Sequence, residues 1–239
     1  IEEPGYWGIR NILRINALNI CPLAVDEAGL VPPEQPTTPP RLIFVTPSHQ
    51  YPLGSVMSLA RRQRLLALAR NAGGWIVEDD YDSEFRFSGQ PIPALQGLEA
   101  DAPVIYIGTF SKTLYPALRL GYVVLPPPLV QALKTAHAEL YRGGHLLIQS
   151  ALAEFIQAGH YTAHIRRMRL LYARRRAFLT GLIEQHLGKQ ALSEFNSNAG
   201  LHLILNLPDE ADDVAIAAAA GARGVLVRPL SRYYMQPNR

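Results

Sequence analysis

Apolar residues fall along this chain in two rhythms. Short unbroken runs at residues 41–46 ("RLIFVT"), 75–78 ("WIVE") and 104–108 ("VIYIG") end at proline, acidic or hydroxyl residues and predict buried strands. Between the first two runs, "SVMSLARRQRLLALARNAGG" spaces Val56, Leu59, Ala60, Leu66 and Ala67 at helical intervals. Arg61, Arg62 and Arg64 lie elsewhere on that wheel, and Gly73 stops it. A strand, a helix and a strand in close succession form a βαβ unit, which requires a parallel sheet.

Beyond a Pro- and Gly-containing connection at residues 86–103, "RLGYVVLPPP" predicts one more strand, closed by prolines. Helices are expected at 129–141, 146–158 and 160–187. After them, "LHLILNLP" and "GVLV" read as strands flanking the helix "DDVAIAAAAGA", a second and smaller α/β layer. "PPEQPTTPP", 32–40, reads as a rigid polar loop. Residues 1–160 form a large domain in this reading, and 161–239 a long connecting helix with a small C-terminal domain. "IEEPGYWG" reads as a strand end running into a loop, and "SRYYMQPNR" stops without a closing helix. Both ends therefore read as the interior of a longer chain.

Composition narrows the classes. The 239 residues are 48% hydrophobic, enough for genuine cores. The lone Cys21 rules out an internal disulfide and fits a reducing, cytoplasmic setting. No apolar run approaches the roughly 18–20 residues of a membrane helix, and no signal peptide is visible. A net charge of +3 is too mild to argue for nucleic acid. The arginines of "HIRRMRLLYARRR" read as a solvated or subunit-facing helix side.

Chemistry concentrates in two loops that leave the C-terminal ends of expected parallel strands, where open α/β sheets place ligands. "DDYDSEF" follows the strand at 75–78, and "TFSKTLYPALR" follows the strand at 104–108. Lys112 can form a Schiff base if its ammonium is desolvated. Thr109, Ser111 and Arg119 suit a phosphate monoester. The acidic loop offers a carboxylate for a protonated ring nitrogen and a phenol for a ring hydroxyl. Pyridoxal phosphate has all of these features. Each piece also has a plainer reading. The Ser-Lys pair can be an exposed loop. Asp79, Asp80, Asp82 and Glu84 can be a solvated acidic loop or a Mg²⁺ or Ca²⁺ site.

"VEDDYDSEFRF", "IYIGTFSKTLYPALRLGYVVLP" and "TPSHQYPLG" together resemble the aminotransferase-like domain of MocR-type transcriptional regulators, in the GntR superfamily. "EEPGYWGIRN", "AGLHLILNLP" and "PLSRYY" extend the resemblance over nearly the whole chain. It implies a fold-type-I, aspartate-aminotransferase-like α/β domain with a large, mainly parallel sheet, binding pyridoxal 5'-phosphate. It implies an amino-compound effector, a homodimer, and DNA binding through a winged helix-turn-helix outside this sequence. By the same resemblance Lys112 is the Schiff-base lysine, Asp79 pairs with the pyridine nitrogen and Tyr81 bonds the ring hydroxyl. Thr109 and Arg119 hold the phosphate, and Tyr6 stacks on the ring. Arg232 is the candidate for an effector carboxylate, with Arg10 and Arg228 as rivals; no metal is implied. Tyr51 stands where aminotransferases of this fold carry Asn before the Pro of an "NPxG" turn. A sensing domain, a working aminotransferase and a carboxylate-metal enzyme all remain open at this point.

Overall fold

The computed structural model describes residues 1–34, 36, 38–90, 92–195 and 198–235. Its central sheet has the order β4-β5-β6-β7. Strands β4 (Leu42–Val45), β5 (Trp75–Asp80) and β6 (Val104–Thr109) run parallel; β7 (Gly121–Val124) is antiparallel to β6. A small second sheet joins β1 (Glu2–Glu3), β2 (Leu23–Asp26) and β3 (Gly29–Leu30). Helix α1 (Trp7–Ile15) lies between β1 and β2.

Helix α2 (Leu59–Ala72) is the crossover from β4 to β5. It starts where Ser58 Oγ accepts a hydrogen bond from the Arg61 N–H (3.3 Å). It ends where Gly73 adopts the left-handed conformation (φ 58°), which a side chain would disfavour. The buried face consists of Arg62, Leu65, Leu66 and Ala69. The sequence reading erred here, because Leu59 and Ala67 are exposed whereas Arg62 faces inward. Arg62 tolerates burial because carbonyls and Glu78 surround it. Ile43, Val45, Leu65, Leu66, Ile76, Leu95 and Val104 form the core between α2 and the sheet.

Helices α3 (Pro127–Tyr141), α4 (Leu146–Gln157) and α5 (His160–Leu187) follow β7 near the expected bounds. Arg166, Arg167, Arg169, Arg174 and Arg175 of α5 are exposed. Helix α6 (Asp213–Ala222) is capped by Asp212, whose carboxylate accepts from the N–H groups of Val214 and Ala215. The strands expected on either side of α6 do not form among the described residues. The segment 201–208 has one bridge, Leu192 to Leu205, and 224–227 has none. An apolar run becomes a strand only where a neighbouring chain takes up its N–H and C=O groups. Residues 236–239 of the expected C-terminal segment lie outside the described residues.

Candidate functional site

Three consecutive parallel strands deliver three loops to one sheet edge. The loop after β4 carries His49 and Tyr51, and the end of β5 carries Asp79 to Asp82. The end of β6 carries Thr109 and then the lysine turn. Asp79 pairs in register with Ile107, and Asp80 with Gly108, so the second and third loops start side by side.

Strand alternation assigns the acidic residues different tasks. Asp80 is buried and accepts hydrogen bonds from the Tyr106 phenol (2.7 Å) and the Ser83 N–H (3.1 Å). Asp79 points the other way and is half-buried, with no hydrogen bond or ion pair among the described residues. Burial first, then the charges of Asp80 and Asp82, push its carboxyl up to about 6. A half-buried carboxylate without a donor suits a protonated ring nitrogen. The four acidic residues are not gathered as a metal set among the described residues: Asp82 groups with His49 and His202 instead.

The turn at residues 110–114 sits on Phe110, whose ring meets Tyr122 (5.6 Å) and Tyr161 (5.8 Å), and on the buried Thr113. His164 of α5 donates to the Thr113 carbonyl (2.9 Å). With these side chains inward, Lys112 faces outward. The expectation of a desolvated amine is therefore corrected: Lys112 is exposed and unpaired among the described residues. Arg119 is also exposed and unpaired, and it holds a left-handed backbone (φ 52°). Thr109 Oγ1 accepts from the Ser111 N–H (3.1 Å), which leaves its own hydrogen free. Tyr122 lies so close over Gly108 that a Cβ there would fall 2.3 Å from the ring.

Tyr81 donates its phenol hydrogen to the His49 carbonyl (2.8 Å) and lies 3.0 Å from His49 Nδ1. Burial, then the Asp82 charge, push its phenol well above the usual range. Tyr81 meets Tyr51 edge-on at 5.7 Å. Tyr51 in turn contacts Tyr6 (6.0 Å) and bonds the Tyr233 hydroxyl (2.8 Å), and its own phenol is pushed up to about 12 by burial and that bond. Tyr6 is thus brought to the site through Tyr51. It folds over Gly8, where a Cβ would fall 2.5 Å from the ring.

The three arginine candidates separate. Arg10 is buried and donates through both terminal nitrogens to the carbonyls of Tyr233 (3.0 Å) and Arg232 (3.1 Å), which fixes it as a structural tie rather than an open carboxylate site. Arg228 faces the phenols of Tyr233 and Tyr51, and its bond to Tyr233 holds its guanidinium above the usual value. Arg232 lines a cleft of about 440 Å³ with Trp7, Val227, Arg228, Pro229 and Tyr233. Lys112 and Asp79 do not line this cleft; the phenol chain Tyr233–Tyr51–Tyr81 links the two places.

Sequence reasoning passed over His49 and His202, and weighed Asp82 only as one of four acidic residues of a loop or metal site. His49 and Asp82 stand inside the quoted motifs, but only the fold shows that they touch.

The sequence profile described as aminotransferase class I and II matches residues 9–239. The chain belongs to that family. This aminotransferase-like chain is 43% identical over 234 residues to "Probable rhizopine catabolism regulatory protein MocR" of Rhizobium meliloti, covering 98% of the chain and 47% of that protein. It is 36% identical over 239 residues to "HTH-type transcriptional regulator TauR" of Rhodobacter capsulatus, covering 100% and 49%. The chain spans about half the length of the curated relatives it matches, and these relatives are named as regulatory proteins, MocR and HTH-type transcriptional regulators among them. Among solved structures, the α-aminoadipate aminotransferase LysN of Thermus thermophilus, complexed with N-(5'-phosphopyridoxyl)-L-leucine, superposes with a TM-score of 0.86 at 25% identity, covering 98% of this chain and 61% of that one. An archaeal alanine:glyoxylate aminotransferase superposes with a TM-score of 0.87 at 23% identity, covering 99% and 61%. The fold is that of the fold-type-I aminotransferases. No helix among the described residues is long and apolar enough to cross a membrane.

Proposed function

We propose that this chain is the effector-binding domain of a MocR-type transcriptional regulator that holds pyridoxal phosphate at the edge of β5 and β6. One observation carries the reading. A lysine, a carboxylate and an arginine stand at or beyond the ends of β5 and β6, and none of the three side chains has a hydrogen bond or ion pair among the described residues. Groups left unpaired in this way fit a ligand that brings an aldehyde, a ring nitrogen and a phosphate.

When bound, pyridoxal phosphate supplies an aldehyde that captures amines covalently and a ring that withdraws electrons. Lys112 offers its Nζ to the aldehyde. Asp79 holds a proton on the pyridine nitrogen, and its raised pKa falls as that positive charge arrives. Tyr81 holds the ring oxygen. Thr109 and Arg119 bind the phosphate, and Tyr6 flanks the ring from the Tyr51 side. Arg232 binds the carboxylate of an amino-acid-like effector in the neighbouring cleft. The division near residue 160 separates the cofactor-holding part from the part carrying Arg232. The protein works as a homodimer in the cytoplasm, and DNA is contacted by a domain outside this chain.

An effector switches such a protein only if it interacts differently with two of its states. An amino-acid-like effector would meet this condition, because it would leave Lys112 free and would bring its own carboxylate to Arg232 in the cleft. Family membership also supports a second reading, an active aminotransferase, in which Lys112 moves the α-proton as general base. Tyr51 in place of the usual Asn favours sensing. The full-length protein should take up pyridoxal phosphate with a visible absorption band that Lys112→Ala abolishes. Uptake in that variant with an unchanged band would overturn the lysine assignment. Sustained turnover of an amino acid with a 2-oxo acid would favour the second reading.

A further inference from the structure

His49, Asp82 and His202 form a cluster whose candidate ligand atoms lie within 4.8 Å of one another, a spacing that could suggest a metal centre. Their bonds point elsewhere. His49 Nδ1 is 3.0 Å from Asp82 Oδ2, which also accepts from the Leu201 N–H (3.0 Å). His202 Nε2 is 2.8 Å from the Pro52 carbonyl, and burial followed by the neighbouring His49 lowers its pKa to about 4. His202 is therefore a neutral ring at neutral pH, with its hydrogen on Nε2. Its ring centroid lies 4.5 Å from that of His49. Gly200 leaves no space on that side of His49, since a Cβ there would fall 1.8 Å from His49 Cε1. The cluster is a clamp on one imidazole.

The hydrogen positions follow from chemistry. A carboxylate only accepts, so His49 carries its hydrogen on Nδ1, directed at Asp82. Nδ1 also lies 3.0 Å from the Tyr81 oxygen, so its one hydrogen is shared between the carboxylate and the phenol. That oxygen is then an acceptor toward the ring, and its own hydrogen goes to the His49 carbonyl at 2.8 Å. One residue thus grips the phenol twice, by a ring N–H and by a backbone oxygen.

We propose that His49 is a positioning residue for Tyr81. Clamped by Asp82, Gly200 and His202, it fixes the direction of the phenol hydrogen and so sets the bond that Tyr81 offers to the cofactor's ring oxygen. With its hydrogen held on His49, Tyr81 presents a lone pair and favours a protonated ring oxygen on the cofactor. Releasing that hydrogen toward the site favours the deprotonated ring oxygen instead. The bias comes from the protein's own residues and involves no covalent step. The proposal rests on the pyridoxal phosphate reading.

Two measurements on the full-length protein test it. The first needs no cofactor. Nitrogen-detected NMR should show His49 as the Nδ1–H tautomer with a slowly exchanging ring hydrogen, and Asp82→Asn should speed that exchange. An Nε2–H tautomer, or a divalent metal retained at the cluster, would overturn the proposal. The second uses pyridoxal phosphate and reads the ratio of the absorption bands for protonated and deprotonated ring oxygen. His49→Ala keeps the backbone carbonyl but removes the ring N–H that occupies a lone pair of the phenol oxygen, so the phenol hydrogen is free to turn toward the site. The ratio should then shift toward the deprotonated form by about fivefold to tenfold, as expected when one hydrogen bond is lost. His49→Asn, whose amide can replace the Nδ1–H, should restore most of it. An unchanged ratio in a folded His49→Ala protein would overturn the proposal, because a purely structural His49 would alter thermal stability and leave the bands alone. If the wild-type protein forms no Lys112-dependent band, the pyridoxal phosphate reading fails, and the NMR result still judges the clamp.

Discussion

Replacing Arg62 by methionine removes the charge that ties α2 to the loops on either side of the site. The guanidinium donates to the carbonyls of Pro47 (2.8 Å), Met57 (3.1 Å) and Pro93 (3.1 Å), with Glu78 at 3.6 Å. Both charged side chains are 0% exposed. Methionine fills much of the same space, so the loss is mainly polar. Three carbonyls each lose one donor, although that of Pro47 keeps the Met57 N–H (2.9 Å), and Glu78 loses the cation that opposes its burial. Removing one member of a buried pair costs about 3–5 kcal/mol. That corresponds to a melting-temperature drop of roughly 6–20 °C in a chain of this size.

Glu78 keeps the N–H groups of Leu95 and Gln96, and burial already raises its pKa while Arg62 lowers it. Without Arg62 the folded pKa rises further above its ordinary value. The folded state then binds this proton more tightly than the unfolded state, so stability falls as pH climbs through that window. Urea denaturation should therefore show a smaller deficit at about pH 5 than at about pH 8. Adding Glu78→Gln should recover part of the loss, with a coupling on the order of 1–3 kcal/mol. A deficit below about 1 kcal/mol, the same at both pH values, would refute the account of a buried pair anchoring these loops.

Gly200→Ala places a Cβ 1.8 Å from His49 Cε1 on a backbone with φ 75°, and calorimetry should show a loss of at least about 2 kcal/mol. Glu2 is buried against Thr46 and Gln50, and burial pushes its carboxyl from 4.5 up to about 7. Its folded pKa is the higher one, so its contribution to stability falls as pH rises from 4.5 to 7. Glu2→Gln should flatten that slope in denaturation curves, and an unchanged slope would place its cause elsewhere. Asp79→Ala should still allow Lys112 to capture the cofactor but should lower any transamination by about a hundredfold or more. Equal turnover in an active protein would count against its role.

The sheet edge was legible because its signals are local. Apolar runs ending in polar loops mark β4, β5 and β6, and "DDYD" and "TFSK" each sit directly behind a strand. Contacts across long stretches of sequence were not legible. Nothing near Arg62 announces that carbonyls 15 and 31 residues away will surround it, so helical spacing alone put it on the wrong face. His49 meets Asp82 across 33 residues, and Leu201 meets Asp82 across 119. The exposure of Lys112 was misjudged because its apolar neighbours, Phe110 above all, pack beneath the turn and lift the lysine out. The segments 201–208 and 224–227 have the composition of strands, but composition does not supply a full pairing strand: among the described residues 201–208 makes the single bridge of Leu205 to Leu192 and 224–227 makes none.

The bonds from Arg10 to the carbonyls of residues 232 and 233 join segments 223 positions apart in the chain. Contacts this far apart in sequence gain little from local structure, and the loop-closure entropy must be met before they form. This seam should be among the last parts of the protein to form and the first to open. The cleft that holds Arg232 lies along it, so a ligand there would act on folding order as well as on affinity. Its binding should appear as slowed amide exchange at Gly5, whose N–H meets the Tyr233 carbonyl at 3.3 Å, while the amides of β5 stay unchanged.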